Sequence, residues 1–198
     1  MQSIDGFILS GGQSRRMGRD KCELTLNGQT FVERISDRMA PVTSSITVVG
    51  RFAGQSRISQ VADVYPEWGA LGGVHAALAN CLSEWALVVA CDFPFVTTNL
   101  FARMNELSAG SDAVAPVQAD GVPQPLCTLY RVDPCLAQAE QLIKSGERKP
   151  IALLQSVRTR WIDFERLSDL EGSESFFYNI NTPEDYARIA TGESDADS

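Results

Sequence analysis

The sequence predicts an α/β fold in which an open sheet of mostly parallel strands is covered by helices. Its apolar runs do not alternate with polar residues, which indicates strands that are buried on both faces. The segments between these runs are long enough for right-handed crossover connections. The resulting β-α-β-α-β order is typical of the α/β class. The four runs are Ile4 to Leu9, Ser45 to Val49, Trp85 to Ala90 and Asp112 to Val117.

Hydrophobic spacing and end signals locate the remaining elements. Phe31, Ile35 and Met39 recur every four residues and predict a helix over 31–39. Thr182 followed by Pro183 is typical of the start of a last helix. Further helices are predicted from Gly73 to Leu82, Leu100 to Leu107 and Pro134 to Lys144, and further strands from Leu126 to Val132 and Val157 to Phe164.

Length and composition limit the class of protein. The chain has 198 residues, of which 44% are hydrophobic and 21% are charged, as in ordinary globular domains. We therefore predict one domain over 1–190, followed by a disordered acidic tail over 191–198. The formal net charge of −8 repels the phosphate backbone of nucleic acids, and no basic run offsets it. We expect no nucleic-acid partner.

The cysteines and the histidine limit the kinds of site that the chain can contain. Five cysteines without a Cys-x-x-Cys pair indicate reduced thiols rather than a disulfide framework or a zinc site. The first residues lack the order of a signal peptide, and no apolar run reaches the roughly 18 residues that span a bilayer. We therefore expect a cytoplasmic protein with no membrane partner. His75 is the one histidine, which argues against a Ser-His-Asp triad and favours a packing role.

The strongest functional signal is the segment from residue 9 to residue 21, which reads LSGGQSRRMGRDK. It follows a buried strand, so it opens at the carboxyl edge of the sheet, where α/β folds bind ligands. Gly11 and Gly12 allow close approach to the backbone, whose N–H groups can bind an anion. Arg16 and Lys21 are two of the four cations in this segment, as a triphosphate site requires. The alternative is a flexible, solvated basic loop.

Asp92 directly follows the apolar strand 85–90, within the motif CDFPF. An acid at the carboxyl end of a central strand lies at the same crevice as the first loop. Mg²⁺ prefers one or two carboxylates together with phosphate oxygens and water, so Asp92 is a candidate magnesium ligand. The alternative is a turn residue or a helix cap before Pro94, because aspartate is common in turns.

Three weaker signals complete the candidate site. Gly69 and Gly72 lie in a second glycine-rich entry to a helix, where a planar base can lie against the backbone. Asp63 can accept both N1–H and N2–H₂ of guanine, although on its own it is better explained as a solvated loop acid. Asn179 and Asn181 put two amides on one side of an extended segment, although asparagine is also a routine turn and cap residue.

These motifs together resemble the molybdenum cofactor guanylyltransferases. The first loop resembles the L-A-G-G-x-S-x-R-M-G-x-D-K signature of that family, residues 69–73 resemble G-P-L-x-G, and residues 91–95 resemble C-D-x-P-F. Residues 123–130 and 179–184 continue the resemblance, which therefore covers nearly the whole chain. The first motif alone marks the wider nucleotidyltransferase group, whereas the later ones favour the molybdopterin branch.

The resemblance implies a three-layer Rossmann-like nucleotidyltransferase fold with a mostly parallel central sheet. It implies transfer of GMP from Mg-GTP to molybdenum-molybdopterin, with Mg²⁺ as cofactor and with cofactor-delivery proteins and recipient molybdoenzymes as further partners. The resemblance also implies a role for each residue of the candidate site. Leu9, Ser10, Gly11 and Gly12 would contact the nucleotide through backbone groups, and Arg16 and Lys21 would bind its phosphates. Asp63 would contact the guanosine, Gly69 and Gly72 would lie beside the base, Asp92 would bind the metal, and Asn179 and Asn181 would lie near the second substrate.

The chain departs from this pattern at three positions. Ser10 replaces the usual alanine, Ala70 replaces the usual proline, and Gly50 stands where an asparagine is expected. We expect a looser turn at Ala70 and the loss of one nucleoside contact at Gly50.

Two other classes of function stay open. One is the same fold acting with CTP on molybdopterin or with an NTP on a sugar phosphate, because fold alone does not decide the substrate. The other is a non-catalytic nucleotide-binding carrier, against which Asp92 argues because a carrier needs no metal ligand.

Overall fold

The computed structural model of the chain describes residues 2–10, 24–52, 58–180 and 185–186. In the first half, the elements are β1 (Ile4–Ser10), β2 (Thr25–Leu26), β3 (Gln29–Thr30), α1 (Phe31–Met39), β4 (Ser45–Gly50), β5 (Ser59–Val61), a short 3₁₀ helix (Pro66–Trp68), α2 (Gly69–Ala79), β6 (Trp85–Ala90) and α3 (Thr98–Glu106). In the second half, they are β7 (Ala113–Pro116), β8 (Cys127–Arg131), α4 (Val132–Lys144), α5 (Pro150–Ser156), β9 (Thr159–Ile162) and two short 3₁₀ helices (Phe164–Arg166 and Ser173–Ser175).

Within the described residues, seven strands form one sheet in the order β5-β4-β1-β6-β8-β7-β9, and β2 pairs with β3 in a separate hairpin. β1 is parallel to both β4 and β6, β4 is parallel to β5, and β7 is parallel to β9. Of these seven strands, β8 alone is antiparallel to its neighbours, β6 and β7. The mostly parallel sheet that the apolar runs predict is confirmed.

Helices cover both faces of the sheet. Ile8 of β1 and Val89 of β6 lie in a core with residues of α1 and α3, among them Ile35. Leu9 and Val88 point to the opposite face and lie in a second core with residues of α2, α4 and α5. Every residue of β1 and β6 is buried, because both faces of these strands are covered. The structure therefore has three layers, as the family resemblance implies.

Helix α1 has the bounds that the spacing predicts. Thr30 is its N-cap: the Thr30 hydroxyl accepts a hydrogen bond from the N–H of Glu33, and the Glu33 carboxylate accepts one from the N–H of Thr30 at 2.8 Å. This reciprocal pair is a capping box, which satisfies two backbone donors that the helix itself leaves without partners. Phe31, Ile35 and Met39 are fully buried, as their spacing predicts.

Helix α2 covers residues 69–79, so the prediction of a helix over 73–82 was wrong at both ends. Gly72 is inside the helix because close packing requires a glycine there. A Cβ atom on Gly72 would lie 2.4 Å from the carbonyl oxygen of Tyr65, much closer than any side chain allows. Gly72 therefore belongs to the first turn of the helix, and Gly69, at φ +58° and ψ −137°, is the residue at which the chain enters it.

Other elements differ from the predictions at their ends. Helix α3 begins at Thr98, because the Thr97 hydroxyl accepts a hydrogen bond from the N–H of Leu100 and caps the helix. Helix α4 begins two residues before Pro134, which lies in the first turn, where proline is tolerated. Strands β7, β8 and β9 are shorter than the apolar runs that predict them, and α5, β5 and the β2–β3 hairpin were not predicted.

Residues 181–184, where the last helix is predicted to start, and the tail over 191–198 lie outside the described residues. Within the described ranges, no helix is both long enough and apolar enough to cross a bilayer. No disulfide bond joins the four described cysteines, and burial raises the pKa of the Cys81 and Cys135 thiols to about 12. These two thiols are therefore protonated at neutral pH.

Candidate functional site

The carboxyl ends of β1, β4 and β6 lie side by side at one edge of the sheet. Ser10 pairs with Gly50 across β1 and β4, and Leu9 pairs with Ala90 across β1 and β6. The N–H of Cys91 donates to the carbonyl oxygen of Leu9 at 3.1 Å. The segments that follow β1 and β6 in the chain, which carry the two strongest motifs, therefore start next to each other.

The last residues of β1 turn their side chains into the protein. Leu9 and Ser10 are buried, and the Ser10 hydroxyl donates to the carbonyl oxygen of Arg51. A contact of these two residues with a ligand therefore depends on their backbone groups, as the sequence predicts. The other predicted residues of this loop, Gly11, Gly12, Arg16 and Lys21, lie outside the described residues.

Gly50, at the end of β4, has a backbone that requires glycine. Its φ is +101°, and a Cβ atom there would lie 2.8 Å from the carbonyl oxygen of Ser10. An asparagine at this position would need the chain to move away from β1. The missing asparagine is therefore explained by the close approach of β4 to the end of β1, and no side chain replaces the expected contact at this position.

Asp63 lies against the start of α2. Its Oδ1 atom accepts a hydrogen bond from the N–H of Tyr65 at 2.8 Å, and a Cβ atom on Gly72 would lie 3.3 Å from the same oxygen. Asp63 is half-buried, and its bond to the N–H two residues later is the local hydrogen bond that the loop-acid alternative also predicts. Gly69 is exposed at φ +58°, with no atom within 4 Å of the position that its Cβ would take. The structure brings Asp63 and Gly72 together.

His75 packs inside the protein, as the sequence predicts. It is buried, and its ring meets the ring of Tyr65 edge to face at a centroid distance of 4.9 Å. Burial lowers the pKa of His75, although the negative charges of Glu140 and Asp63 oppose that shift. The imidazole is therefore neutral at neutral pH.

Asp92 lies in the turn that follows β6, and this turn is closed by a hydrogen bond from the N–H of Phe93 to the carbonyl oxygen of Ala90 at 3.2 Å. Asp92 does not cap a helix, because α3 begins at Thr98. The Oδ1 atom of the Asp92 carboxylate is buried. Asp92 is therefore at the carboxyl edge, where the sequence predicts it.

The segment before residue 181 lies beside this turn. The N–H of Ile180 donates to the carbonyl oxygen of Asp92 at 3.5 Å. The amide oxygen of Asn179 is buried and has no hydrogen-bond partner among the described residues. The structure thus brings Asn179 next to Asp92 in the fold, whereas Asn181 lies outside the described residues.

A cleft of about 520 Å³ opens near this segment, beyond the carboxyl ends of β7 and β9. Its wall is held together by a hydrogen bond from the Gln118 amide to the carbonyl oxygen of Phe177 at 3.4 Å. No motif predicted this cleft, because its lining comes from three segments that are far apart in the chain. The lining residues are Gln118, Ala119, Asp120, Phe164, Ser173, Glu174, Phe177 and Tyr178.

The oxygen atoms at this edge fit a magnesium ion that shares its ligands with a substrate. Among the described residues, no three His, Cys, Asp or Glu side chains are grouped to hold a metal ion. Asp92 supplies one carboxylate at this edge, with its Oδ1 atom buried. Mg²⁺ is commonly held by one or two protein oxygens together with substrate phosphates and water.

Comparison with known sequences identifies the family. Residues 6–160 match the family model described as MobA-like NTP transferase domain. The chain is 34% identical over 190 residues to the molybdenum cofactor guanylyltransferase of Vibrio cholerae serotype O1, and the match covers 92% of this chain and 89% of that protein.

Solved structures agree with this result. The molybdopterin-guanine dinucleotide biosynthesis protein A from Archaeoglobus fulgidus matches with a TM-score of 0.79 at 26% identity, covering 94% of this chain and 97% of that chain. The 2-C-methyl-D-erythritol 4-phosphate cytidylyltransferase from Thermus thermophilus has a TM-score of 0.68 at 14% identity, covering 96% and 98%, which shows a common fold alone. This chain therefore belongs to the MobA-like NTP transferase domain family and is a nucleotidyltransferase of the molybdenum cofactor guanylyltransferase type.

Proposed function

We propose that the chain transfers GMP from Mg-GTP to molybdenum-molybdopterin, giving the molybdopterin guanine dinucleotide cofactor and pyrophosphate. The position of Asp92 carries this proposal. Asp92 leaves β6 beside the end of β1, and its carbonyl oxygen accepts a hydrogen bond from Ile180 of the segment that carries Asn179. The end of β1, from which the nucleotide loop leaves, and the segment that carries Asn179 therefore both lie beside the turn that holds Asp92, which supports a transfer between two substrates at this place.

Guanine is the base that best suits the groups beside α2. The half-buried Asp63 carboxylate lies beside the start of α2, and the exposed Gly69, with no atom within 4 Å of the position that its Cβ would take, leaves backbone open to a planar base. A carboxylate can accept N1–H and N2–H₂ of guanine together, and adenine offers no such pair of donors. In this proposal the backbone groups of Leu9, Ser10, Gly11 and Gly12 contact the nucleotide, the cations of Arg16 and Lys21 bind its phosphates, and Gly69 and Gly72 flank its base.

Asp92 would hold Mg²⁺ together with phosphate oxygens of the nucleotide. A bound Mg²⁺ neutralises phosphate charge and draws electron density from the α-phosphorus. The chain has a net charge of −8, so a carboxylate that faces a bare triphosphate would repel it. The position of Asp92 therefore suits a metal-bound nucleotide better than a free one.

The chain's own contribution to the transfer is to bind and orient two anions. The attacking group is the terminal phosphate of the pterin, which is already ionised at neutral pH. No side chain has to remove a proton from it, so the neutral, buried His75 is not required as a base. Positioning and charge neutralisation are the usual means by which proteins catalyse phosphoryl-type transfer.

The cleft beyond β7 and β9 is our candidate for the site of molybdopterin. Phe177 and Tyr178 supply aromatic surface for a planar ring, and Asp120 and Glu174 supply carboxylates for ring N–H donors. The buried amide oxygen of Asn179 lies on the segment that joins this cleft to Asp92. A substrate in this cleft would therefore direct its phosphate toward Asp92.

The test is pyrophosphate release with each of the four NTPs, with and without molybdopterin. Release with GTP and molybdopterin together is the expected result. Release with CTP instead would support the cytidylyl alternative, release with a sugar phosphate would support that branch, and nucleotide binding without release would support a carrier. Asp133→Asn, which changes an exposed acid in the first turn of α4, is the matched control for Asp92→Asn.

A further inference from the structure

Arg148 joins the loop between α4 and α5 to the segment that enters α2. Its guanidinium carbon lies 5.1 Å from the centroid of the Trp68 ring. One guanidinium nitrogen, Nη1, donates to the carbonyl oxygen of Glu67 at 3.1 Å, across 81 positions of the chain. A planar cation thus stacks on the aromatic ring while it hydrogen-bonds to the backbone one residue earlier.

Residues 67–72, which we call the base-facing turn, lead from a short 3₁₀ helix into the first turn of α2. Gly69 adopts φ +58° and has no neighbouring atom within 4 Å of the position that a Cβ would take. Ala70 occupies the position where the family pattern has proline, so φ is not fixed by a ring at this point. At these two positions the turn therefore has neither side-chain packing nor a ring to fix it.

The Trp68 side chain connects Arg148 with the groups proposed to meet the base. Its Cβ atom lies 3.2 Å from the position that a Cβ on Gly72 would take. The Asp63 carboxylate lies 3.3 Å from the same position, on the other segment that packs against Gly72. A displacement of Trp68 would therefore change the surface beside Asp63.

The loop that carries Arg148 is itself fixed. The carboxylate oxygen Oε1 of Glu147 accepts hydrogen bonds from the N–H of Arg148 at 2.8 Å and of Lys149 at 2.9 Å. These two bonds lower the pKa of Glu147, with the Lys149 N–H as the larger cause, so the acceptor stays ionised at neutral pH. Helix α5 starts directly after this loop, with Pro150 in its first turn. Arg148 therefore extends from a rigid support.

We propose that Arg148 is a positioning residue for guanine recognition, which holds the base-facing turn through Trp68 and Glu67 in place of the missing proline. This inference rests on the proposed GTP-dependent function. Arg148 stays on the outer side of the turn and does not touch the nucleotide. Within the part of the chain that the structure describes, the Arg148 guanidinium contacts Trp68 and Glu67 and not the turn of Asp92, so its loss should weaken nucleotide binding and leave the transfer step unchanged.

The test compares Arg148→Ala, Arg148→Lys and the control Arg160→Ala, which removes an exposed arginine from β9. We expect Arg148→Ala to raise KM for GTP about threefold to fivefold at unchanged kcat. The energy of one exposed cation–π contact corresponds to a change in affinity of about this size. Arg148→Lys should fall between wild type and alanine, because lysine keeps the charge but loses the planar fork. The control should change neither KM nor the melting temperature, and Arg148→Ala should lower the melting temperature by no more than about 4 °C, because it loses only these surface contacts.

Two variants that already carry another substitution test whether Arg148 acts on KM through the turn and through Trp68. Ala70→Pro fixes φ inside the first turn of α2, where proline is tolerated, and Gly69 before it is not helical at ψ −137°. In that background Arg148→Ala should change KM less than about twofold. In a Trp68→Leu background, Arg148→Ala should raise KM less than it does in the wild type, because only the hydrogen bond to the carbonyl oxygen of Glu67 is left to lose.

Three results would overturn the inference: an unchanged KM for GTP in Arg148→Ala, a fall in kcat as large as the rise in KM, or a rise in KM in both backgrounds as large as Arg148→Ala causes in the wild type. A wild-type protein that shows no preference for GTP would instead refute the proposed function, and this inference with it. The two failures are distinguishable, because the second is seen before any variant is made.

Discussion

The two edges of the sheet use their polar side chains in opposite ways. At the amino edge, Asp5 accepts a hydrogen bond from the Ser45 hydroxyl at 2.7 Å and from the N–H groups of Leu82 and Ser83 at 3.0 and 2.9 Å. Burial by itself raises the pKa of Asp5, but these hydrogen bonds outweigh it and lower the pKa. The carboxylate therefore ties together the starts of β1, β4 and β6.

Asp112 repeats this pattern at the start of β7. Its two carboxylate oxygens accept hydrogen bonds from Nε and Nη2 of Arg158, both at 2.8 Å. The Arg158 hydrogen bonds hold the pKa of Asp112 below its usual value. Asp112 thus joins β7 to the segment that leads into β9.

At the carboxyl edge the polar groups keep capacity for a ligand. The buried amide oxygen of Asn179 has no hydrogen-bond partner among the described residues. One carboxylate oxygen of Asp63 accepts a hydrogen bond from the N–H of Tyr65. The comparison of the two edges shows that the hydrogen bonds already made by a polar side chain indicate which role it has. Acids whose acceptors are filled by the protein hold the fold, and we propose that the groups that retain acceptors at the other edge serve the reaction.

Asp92→Asn should have the largest effect on the reaction. It keeps the size of the side chain but removes the charge, so we expect turnover to fall by at least about 100-fold, while nucleotide affinity falls less. Steady-state transfer across a Mg²⁺ titration, with nucleotide affinity measured in parallel, checks this expectation. Asp133→Asn should behave as wild type. Turnover near normal at ordinary Mg²⁺ would remove Asp92 as a metal ligand and favour the carrier alternative.

Asp63→Ala should change the choice of base. The loss of a hydrogen-bonding carboxylate costs about 1.5–3 kcal/mol, so the ratio of kcat/KM for GTP over ATP should fall about tenfold to 100-fold. Asp63→Asn keeps an acceptor for the N–H of Tyr65 and separates base recognition from the shape of the turn. An unchanged ratio in both variants would mean that another group reads the base.

Asp5→Ala should change stability rather than activity. It leaves the N–H groups of Leu82 and Ser83 and the Ser45 hydroxyl without their charged acceptor, which costs about 1–3 kcal/mol in the free energy of unfolding. Ser45→Ala removes one of the three bonds and should cost less. Urea unfolding checks both values. A loss of turnover per folded molecule in Asp5→Ala would mean that the amino edge is not independent of the site.

The dependence of the unfolding free energy on pH in the acid range should show the smallest effect. The folded-state pKa of Asp5 is lowered, so its contribution to stability is complete above its unfolded pKa of about 4 and is lost as pH falls through the folded value. Asp5→Asn should therefore reduce the slope of unfolding free energy against pH in this window by up to roughly one proton. An unchanged slope between about pH 5 and pH 2 would show that Asp5 titrates alike in both states.

The fold was largely predictable where one physical signal acts alone. The unbroken apolar runs of β1 and β6 gave both strands, because burial on two faces excludes polar alternation. The antiparallel direction of β8 was not predicted, because a buried run has the same composition in either direction. The start of α2 was also missed, because glycine indicates a break locally, while Gly72 is required by the approach of the Tyr65 carbonyl.

The candidate site divides in the same way. Asp92 could be placed from sequence, because it follows a strand whose carboxyl end is fixed by the fold. The contact of Arg148 with Trp68 could not, because a pair so far apart in the chain leaves no periodic or local pattern. The cleft at Phe177 was missed for the same reason, since its walls meet only after the sheet has formed.

The most direct measurement of the contrast between the two edges applies two assays to Asp92→Asn and Asp5→Ala. Turnover per folded molecule and the free energy of unfolding are measured on the same preparations. We expect Asp92→Asn to lose turnover by at least about 100-fold with stability within about 0.5 kcal/mol of wild type, and Asp5→Ala to show the reverse. If Asp92→Asn is destabilised as much as Asp5→Ala while its turnover per folded molecule is normal, the assignment of roles to the two edges is wrong.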